Sequence, residues 1–196
     1  MNKPFTIEIQ GLDNINDFIS KWSPQYSYSN EDRYLNHIKT VLDNKESFIE
    51  LFKWKNGTGD VIYVKKMNVV LGFWDKIDVL RELQVEFSWE LFEKEFEPQK
   101  NSPIWKIFLL HLINPNKFPI FDQHVYRSFH FFETGMIEEI PSSSKRKYQI
   151  YKLEYRDWFN HIQQQNNIYP KEMDKSFFSF GQMLKRIMNY PIQIHN

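Results

Sequence analysis

Along this chain apolar residues recur mostly at three- and four-residue steps, the period of amphipathic helices. The pattern runs over residues 13–21 and again over 30–54. In the second run Leu35, Ile38, Val41 and Leu42 form one predicted buried stripe, continued by Phe48, Leu51 and Phe52 past a break near Asp43 and Asn44. Lys55-Asn56-Gly57-Thr58-Gly59 stops it, because Asn-Gly and Gly-x-Gly segments supply the left-handed backbone that ends helices. Residues 61–71 read equally as strand or helix. From Trp74 the helical spacing returns through Ile77, Leu80, Leu83, Phe87, Leu91 and Phe96, with a break near Ser88. A short polar link from Pro98 to Pro103 follows, then the apolar helix IWKIFLLHLI, a loop over 114–119 and a helix over 123–132. The order is helix, hairpin, helix, loop, helix. The polar connector 142–147 leads to a helix over 148–164, and a final helix over 171–188 buries Phe177, Phe178, Phe180, Met183, Leu184 and Ile187. Only the opening FTIEIQ alternates apolar and polar, predicting a short N-terminal strand or extended arm. The prediction is a mainly α fold without internal repeats.

Composition sharpens this picture. With 196 residues, 41% of them hydrophobic, the chain can build one ample core, in a single domain or two joined helical lobes. Eighteen Phe and only six Gly favour bulky helical packing over a turn-rich sandwich. The absence of Cys excludes disulfides, thiol nucleophiles, iron–sulfur clusters and Cys-type zinc fingers. No apolar leader or membrane-length stretch is visible, so a soluble, cytoplasmic protein with no membrane partner is expected.

Net charge is zero, so the overall balance gives no support for nucleic-acid binding. The distribution is less even. Residues 75–97 hold eight acids against three bases, and residues 145–191 hold nine bases against four acids. That asymmetry permits a phosphate-facing side, although a solvated helix face has the same pattern.

The segment with the most chemical content is Phe118-Pro119-Ile120-Phe121-Asp122-Gln123-His124-Val125-Tyr126-Arg127. It resembles the signature of the helix-hairpin-helix DNA glycosylases, in which a Pro-containing approach ends in an aspartate at a helix start, commonly followed by His, an aliphatic residue and Arg. The hairpin and flanking helices lie at that superfamily's spacing, and the detailed match covers roughly residues 74–132. The resemblance implies a glycosylase-like helical fold with hairpin and catalytic helix within 75–132. Asp122 would be the catalytic carboxylate, and His124 and Arg127 DNA-contacting residues. Arg127 has structural pairing as an alternative role. A carboxylate suits the reaction because breaking a bond between base and deoxyribose develops positive charge on the sugar. The same group can orient or deprotonate water. Asp is also among the commonest helix caps, and in isolation this one would be read as a cap. His124 satisfying a local hydrogen bond and Arg127 forming an ordinary ion pair are equally consistent with the string.

The chain departs from that pattern at the hairpin, which is usually glycine-rich. Here Lys100, Asn101, Ser102 and Pro103 stand in its place, leaving side chains rather than backbone amides to grip phosphate. Bifunctional members carry a lysine just after the hairpin, where this chain has Ile104, so a monofunctional enzyme is expected. A flipped base needs stacking walls and polar readers. Trp105, Phe121 and Gln123 are the principal pocket candidates, with Trp54, Trp74, Trp158 and Asn101 as further ones.

The expectation is therefore a monomeric DNA N-glycosylase without metal or organic cofactor. It would flip a damaged or modified base from double-stranded DNA and hydrolyse its N-glycosidic bond, in base excision repair or in defence against modified phage DNA. Two alternatives stay open. One is a noncatalytic DNA-binding protein on the same scaffold. The other is a ribonuclease using Arg156 and His161, whose Arg-x4-His spacing looks like a HEPN motif.

Overall fold

The computed structural model describes residues 14–28, 30–57, 61–96 and 103–189, and in them the regular structure is helical. The predicted mainly α fold is therefore the observed one. The N-terminal strand over 5–10 and the hairpin residues Lys100, Asn101 and Ser102 lie outside the described residues.

Helix α1 (Ile15–Trp22) is capped by Asn14, whose side chain accepts from the Asn16 amide. Helices α2 (Glu31–His37) and α3 (Lys45–Asn56) replace the single interrupted run, separated by a tight turn at Ile38–Thr40. The break falls where predicted: Asn44 leaves the helical path and caps α3 by accepting from the Ser47 amide at 3.0 Å. One predicted stripe residue is wrong. Leu35 is 52% exposed, and its neighbour Tyr34 is buried instead, one position round the helix. Gly57 ends α3 with φ 69°, a left-handed conformation a side chain would resist, and its amide bonds to the Trp54 carbonyl. This stop leaves Trp54 and Lys55 in the last turn.

The ambiguous segment is helix α4 (Val64–Trp74). Helices α5 (Ile77–Val85) and α6 (Trp89–Phe96) follow, parted at the predicted Ser88 break. Helix α7 (Pro103–Ile113) begins with Pro in its first turn, where no amide is missed, and is buried on nearly every side. Helix α8 (Gln123–Thr134) ends at Gly135. Helices α9 (Ser144–Ile150) and α10 (Arg156–Asn166) are joined without interruption by a π-helical turn, Tyr151–Tyr155, that directs both tyrosines into the core. Helix α11 (Pro170–Asn189) closes the fold.

A single core joins these helices, with Phe18, Phe52, Phe108, Phe118, Phe159 and Phe177 among its fully or almost fully buried rings. Among the described residues no helix is long and apolar enough to cross a membrane.

The broadest helix contact is α8 against α11, and Gly181 makes it possible. A Cβ at Gly181 would lie 1.9 Å from the His124 carbonyl oxygen and 2.9 Å from the Ser128 hydroxyl, a clash with backbone that no rotamer change relieves. Gly181→Ala should therefore lower the unfolding free energy by about 1–3 kcal/mol in a urea titration; an unchanged midpoint and slope would show that the helices do not approach this closely.

Candidate active site

The loop between α7 and α8 is held residue by residue. Asn114 starts it, its carbonyl accepting from the amides of Lys117 and Phe118. The Lys117 carbonyl accepts from the Asn160 side-chain amide at 3.0 Å, and the Pro119 carbonyl from the Tyr151 hydroxyl at 3.3 Å. Between them the Phe118 carbonyl accepts from His111 Nδ1 at 2.8 Å. A carbonyl can only accept, so the His111 proton sits on Nδ1 and Nε2 accepts from the Tyr34 hydroxyl, 2.9 Å away. Burial pushes the His111 pKa down to about 3, which keeps the ring neutral in this role.

The loop delivers Asp122 to the start of α8. One carboxylate oxygen accepts from the amides of His124 (2.8 Å) and Val125 (3.0 Å). The other lies 3.5 Å from Lys55 Nζ, and the Lys55 side chain is only 7% exposed. Burial raises the Asp122 pKa, but Lys55, the two amides and His124 together outweigh it and hold the pKa below the usual carboxylate range. Capping and charge are thus divided between the two oxygens of one side chain. Asp122 is a cap and, in addition, an ionised group facing a cavity.

That cavity has a volume of about 460 Å³. Aromatic faces come from Tyr26, Tyr28, Trp54 and Phe178, cations from Lys55, Lys147, Lys171 and Lys175, and carboxyls from Asp122 and Asp174. Lys171 Nζ sits 3.8 Å from the centre of the Tyr34 ring and 2.7 Å from Glu31 Oε1. Asp174 is 6% exposed. Its burial raises the pKa from 3.8 to about 7, against the opposing pull of Lys171, the Ile120 amide and Lys55 and with the help of the Asp122 charge. Two carboxyls in one cavity are driven in opposite directions by their surroundings. Among the described residues no group of three His, Asp or Glu is placed to hold a metal ion.

No family model, curated protein or solved structure matches this chain.

Of the residues expected from sequence, Asp122, Gln123 and His124 share the cavity wall. The His124 ring packs on Phe178 at 5.0 Å, and its Nδ1 accepts from Arg127 Nη1 at 3.2 Å. Burial lowers its pKa, opposed by Asp122 and aided by Arg127. Three expectations are corrected. The Arg127 side chain is 0% exposed and donates to the Gly181 carbonyl (2.9 Å) and Glu139 (2.7 Å), so it braces α8 against α11 and cannot face DNA phosphate. Trp105 and Phe121 do not reach the cavity: Trp105 packs against Phe52, and Phe121 lies among Tyr126, Tyr151 and Tyr155. Of the further wall candidates, Trp54 lines the cavity, whereas Trp74 packs on Phe48 and Trp158 lies against Phe129 and Phe177. Arg156 stacks over Trp89 at 4.8 Å and pairs with Asp157, while His161 is exposed; a spacing of five residues puts them about 140° apart on a helix, and neither lines the cavity.

Lys55, His111, Lys171 and Asp174 were not anticipated. For two of them a signal exists. Asp174 precedes Phe177 and Phe178 by three and four residues, which places a carboxyl on the buried stripe of α11, and His111 is a lone polar ring in an otherwise apolar helix.

The raised pKa of Asp174 has a measurable consequence. The folded protein keeps a proton that the unfolded chain releases above its ordinary value, so this group lowers stability as pH rises from 3.8 to about 7. Asp174→Asn removes the penalty. The variant should be more stable than the parent at pH 8 by up to about 4 kcal/mol, with the difference vanishing near pH 4; a difference independent of pH in denaturant titrations would contradict a proton held at Asp174.

Proposed function

We propose that this chain is a monofunctional DNA N-glycosylase that draws a damaged or modified nucleotide into the cavity and hydrolyses its N-glycosidic bond at Asp122. The observation that carries the reading is an ionised Asp122, held by two helix-start amides and by Lys55, on the wall of an aromatic cavity of about 460 Å³.

The volume lies within the range of roughly 300–1,000 Å³ typical of small-ligand sites. Tyr26, Tyr28, Trp54 and Phe178 provide faces on which an extruded base can stack, and Gln123 and His124 provide polar edges. Lys147 and Lys175 on the same wall give phosphate a favourable potential, consistent with the basic bias of residues 145–191. The reacting centre is the sugar C1′. As the base departs, positive charge grows on the sugar, and a carboxylate fixed beside it stabilises that charge without reorganising. The same carboxylate takes a proton from the attacking water. Lys55 serves as counter-ion to Asp122, and Ile104 occupies the position of a Schiff-base lysine, so the product is an abasic site in an uncut strand.

Duplexes carrying damaged, mismatched and phage-type modified bases should release base in the presence of the protein, read as free base and alkali-labile abasic sites. Asp122→Asn keeps an oxygen for the cap while removing the charge. It should lower release by about 10²–10⁴-fold while the protein still unfolds cooperatively, at a somewhat lower temperature because Lys55 loses its buried counter-ion. Equal release by the variant would remove Asp122 from the chemistry, and intact DNA across the whole panel would remove the enzyme reading.

A further inference from the structure

The cavity has a second polar element that the Asp122 chemistry does not use. Asp174, on α11, belongs to its wall, and its Oδ1 is buried without a hydrogen-bond partner. Trp54 belongs to the same wall and has a buried indole N–H that is also without a partner. Buried polar atoms are nearly always paired, and an enclosed carboxyl oxygen without a donor suits the neutral acid better than the carboxylate, whose charge would be left unsolvated.

We propose, resting on the glycosylase reading above, that Asp174 is the general acid of this site, delivering a proton from its carboxylic acid to the departing base while Asp122 attends to the sugar and the water. The environment separates the two roles. Asp122 meets Lys55 and two amides and stays ionised. Asp174 lies deeper, and the charge of Asp122 adds to the cost of ionising it. The charged groups around Asp174 are Lys171 on its own helix, Lys55 on α3 and Asp122 before α8. The hydroxyls of Tyr26, Tyr34, Tyr151 and Tyr155 also sense its charge, and each has its pKa raised by burial, so they remain neutral near pH 7.

The step balances as a hydrolysis. The C1′–N bond breaks with its electron pair going to the base, and a ring nitrogen or carbonyl oxygen of the base takes the Asp174 proton. Water bonds to C1′ and gives its proton to Asp122, and exchange with solvent restores both carboxyls. The substrate class that follows is a neutral base, whose departure a proton from Asp174 speeds. A cationic N7-alkylated purine departs without one.

The test measures single-turnover release from duplexes carrying hypoxanthine, uracil, 8-oxoguanine or N7-methylguanine between pH 5 and 9, for the parent, Asp174→Asn and Asp122→Asn. For the parent, release of a neutral base should fall on an alkaline limb centred near pH 7. Asp174→Asn, whose folding is checked by thermal unfolding, should lower that release about 100-fold or more and abolish the limb. Release of N7-methylguanine should change by less than about threefold. If Asp174→Asn leaves neutral-base release and its limb intact, or depresses the cationic base equally, or if the parent releases only the cationic base, the acid role is overturned while the glycosylase reading stands. If the parent releases no base at all, both fall together.

Discussion

The arrangement of this protein depends on the loop that carries Asp122 from α7 to α8. Three successive carbonyls, those of Lys117, Phe118 and Pro119, accept from Asn160 on α10, His111 on α7 and Tyr151 in the π-helical turn. A loop is ordinarily the softest part of a helical protein because its backbone groups bond to water. Here three successive carbonyls bond to side chains from three separate parts of the fold. The loop therefore inherits their rigidity, and Asp122 is placed by the core rather than by local turn geometry.

Electrostatics then acts on that placement. A carboxylate removed from water is costly unless other charges or dipoles replace its hydration. Asp122 receives two amides and an ammonium at the rim of the cavity. Asp174 lies in a drier position, within the field of a carboxylate that is already charged. The same residue type thus occupies two protonation regimes within one cavity. The buried relay from Phe118 through His111 to Tyr34, with Lys171 over the Tyr34 ring, links the loop to the cationic side of the same wall.

The helices themselves were legible because their signals are local. Asn44 and Gly57 act within one turn of their own positions, and the Ser88 break and the buried stripes of α3 and α11 follow from spacing alone. Leu35 was misread because Tyr34, one residue away, offers more apolar area to the core and brings its hydroxyl to His111. Residues 61–71 were undecidable because a short apolar run has no distinctive period. Trp105 and Phe121 were misplaced for a related reason. In so aromatic a chain sequence shows that a ring will be buried, and leaves open whether it meets another ring or an empty space.

What the sequence by itself determined is the helical architecture and the position of Asp122 at a helix start, since caps, stops and periodicity are set by neighbours within a few residues. What only the tertiary structure decided is the company Asp122 keeps. Lys55 and Trp54 come from α3, Lys171, Asp174 and Phe178 from α11, and Tyr26 and Tyr28 from the segment before α2, while Arg127 turned inward, away from the cavity. A charged side chain's role depends on its partners and its distance from water. Both are fixed by contacts between residues far apart along the chain, which no local pattern encodes.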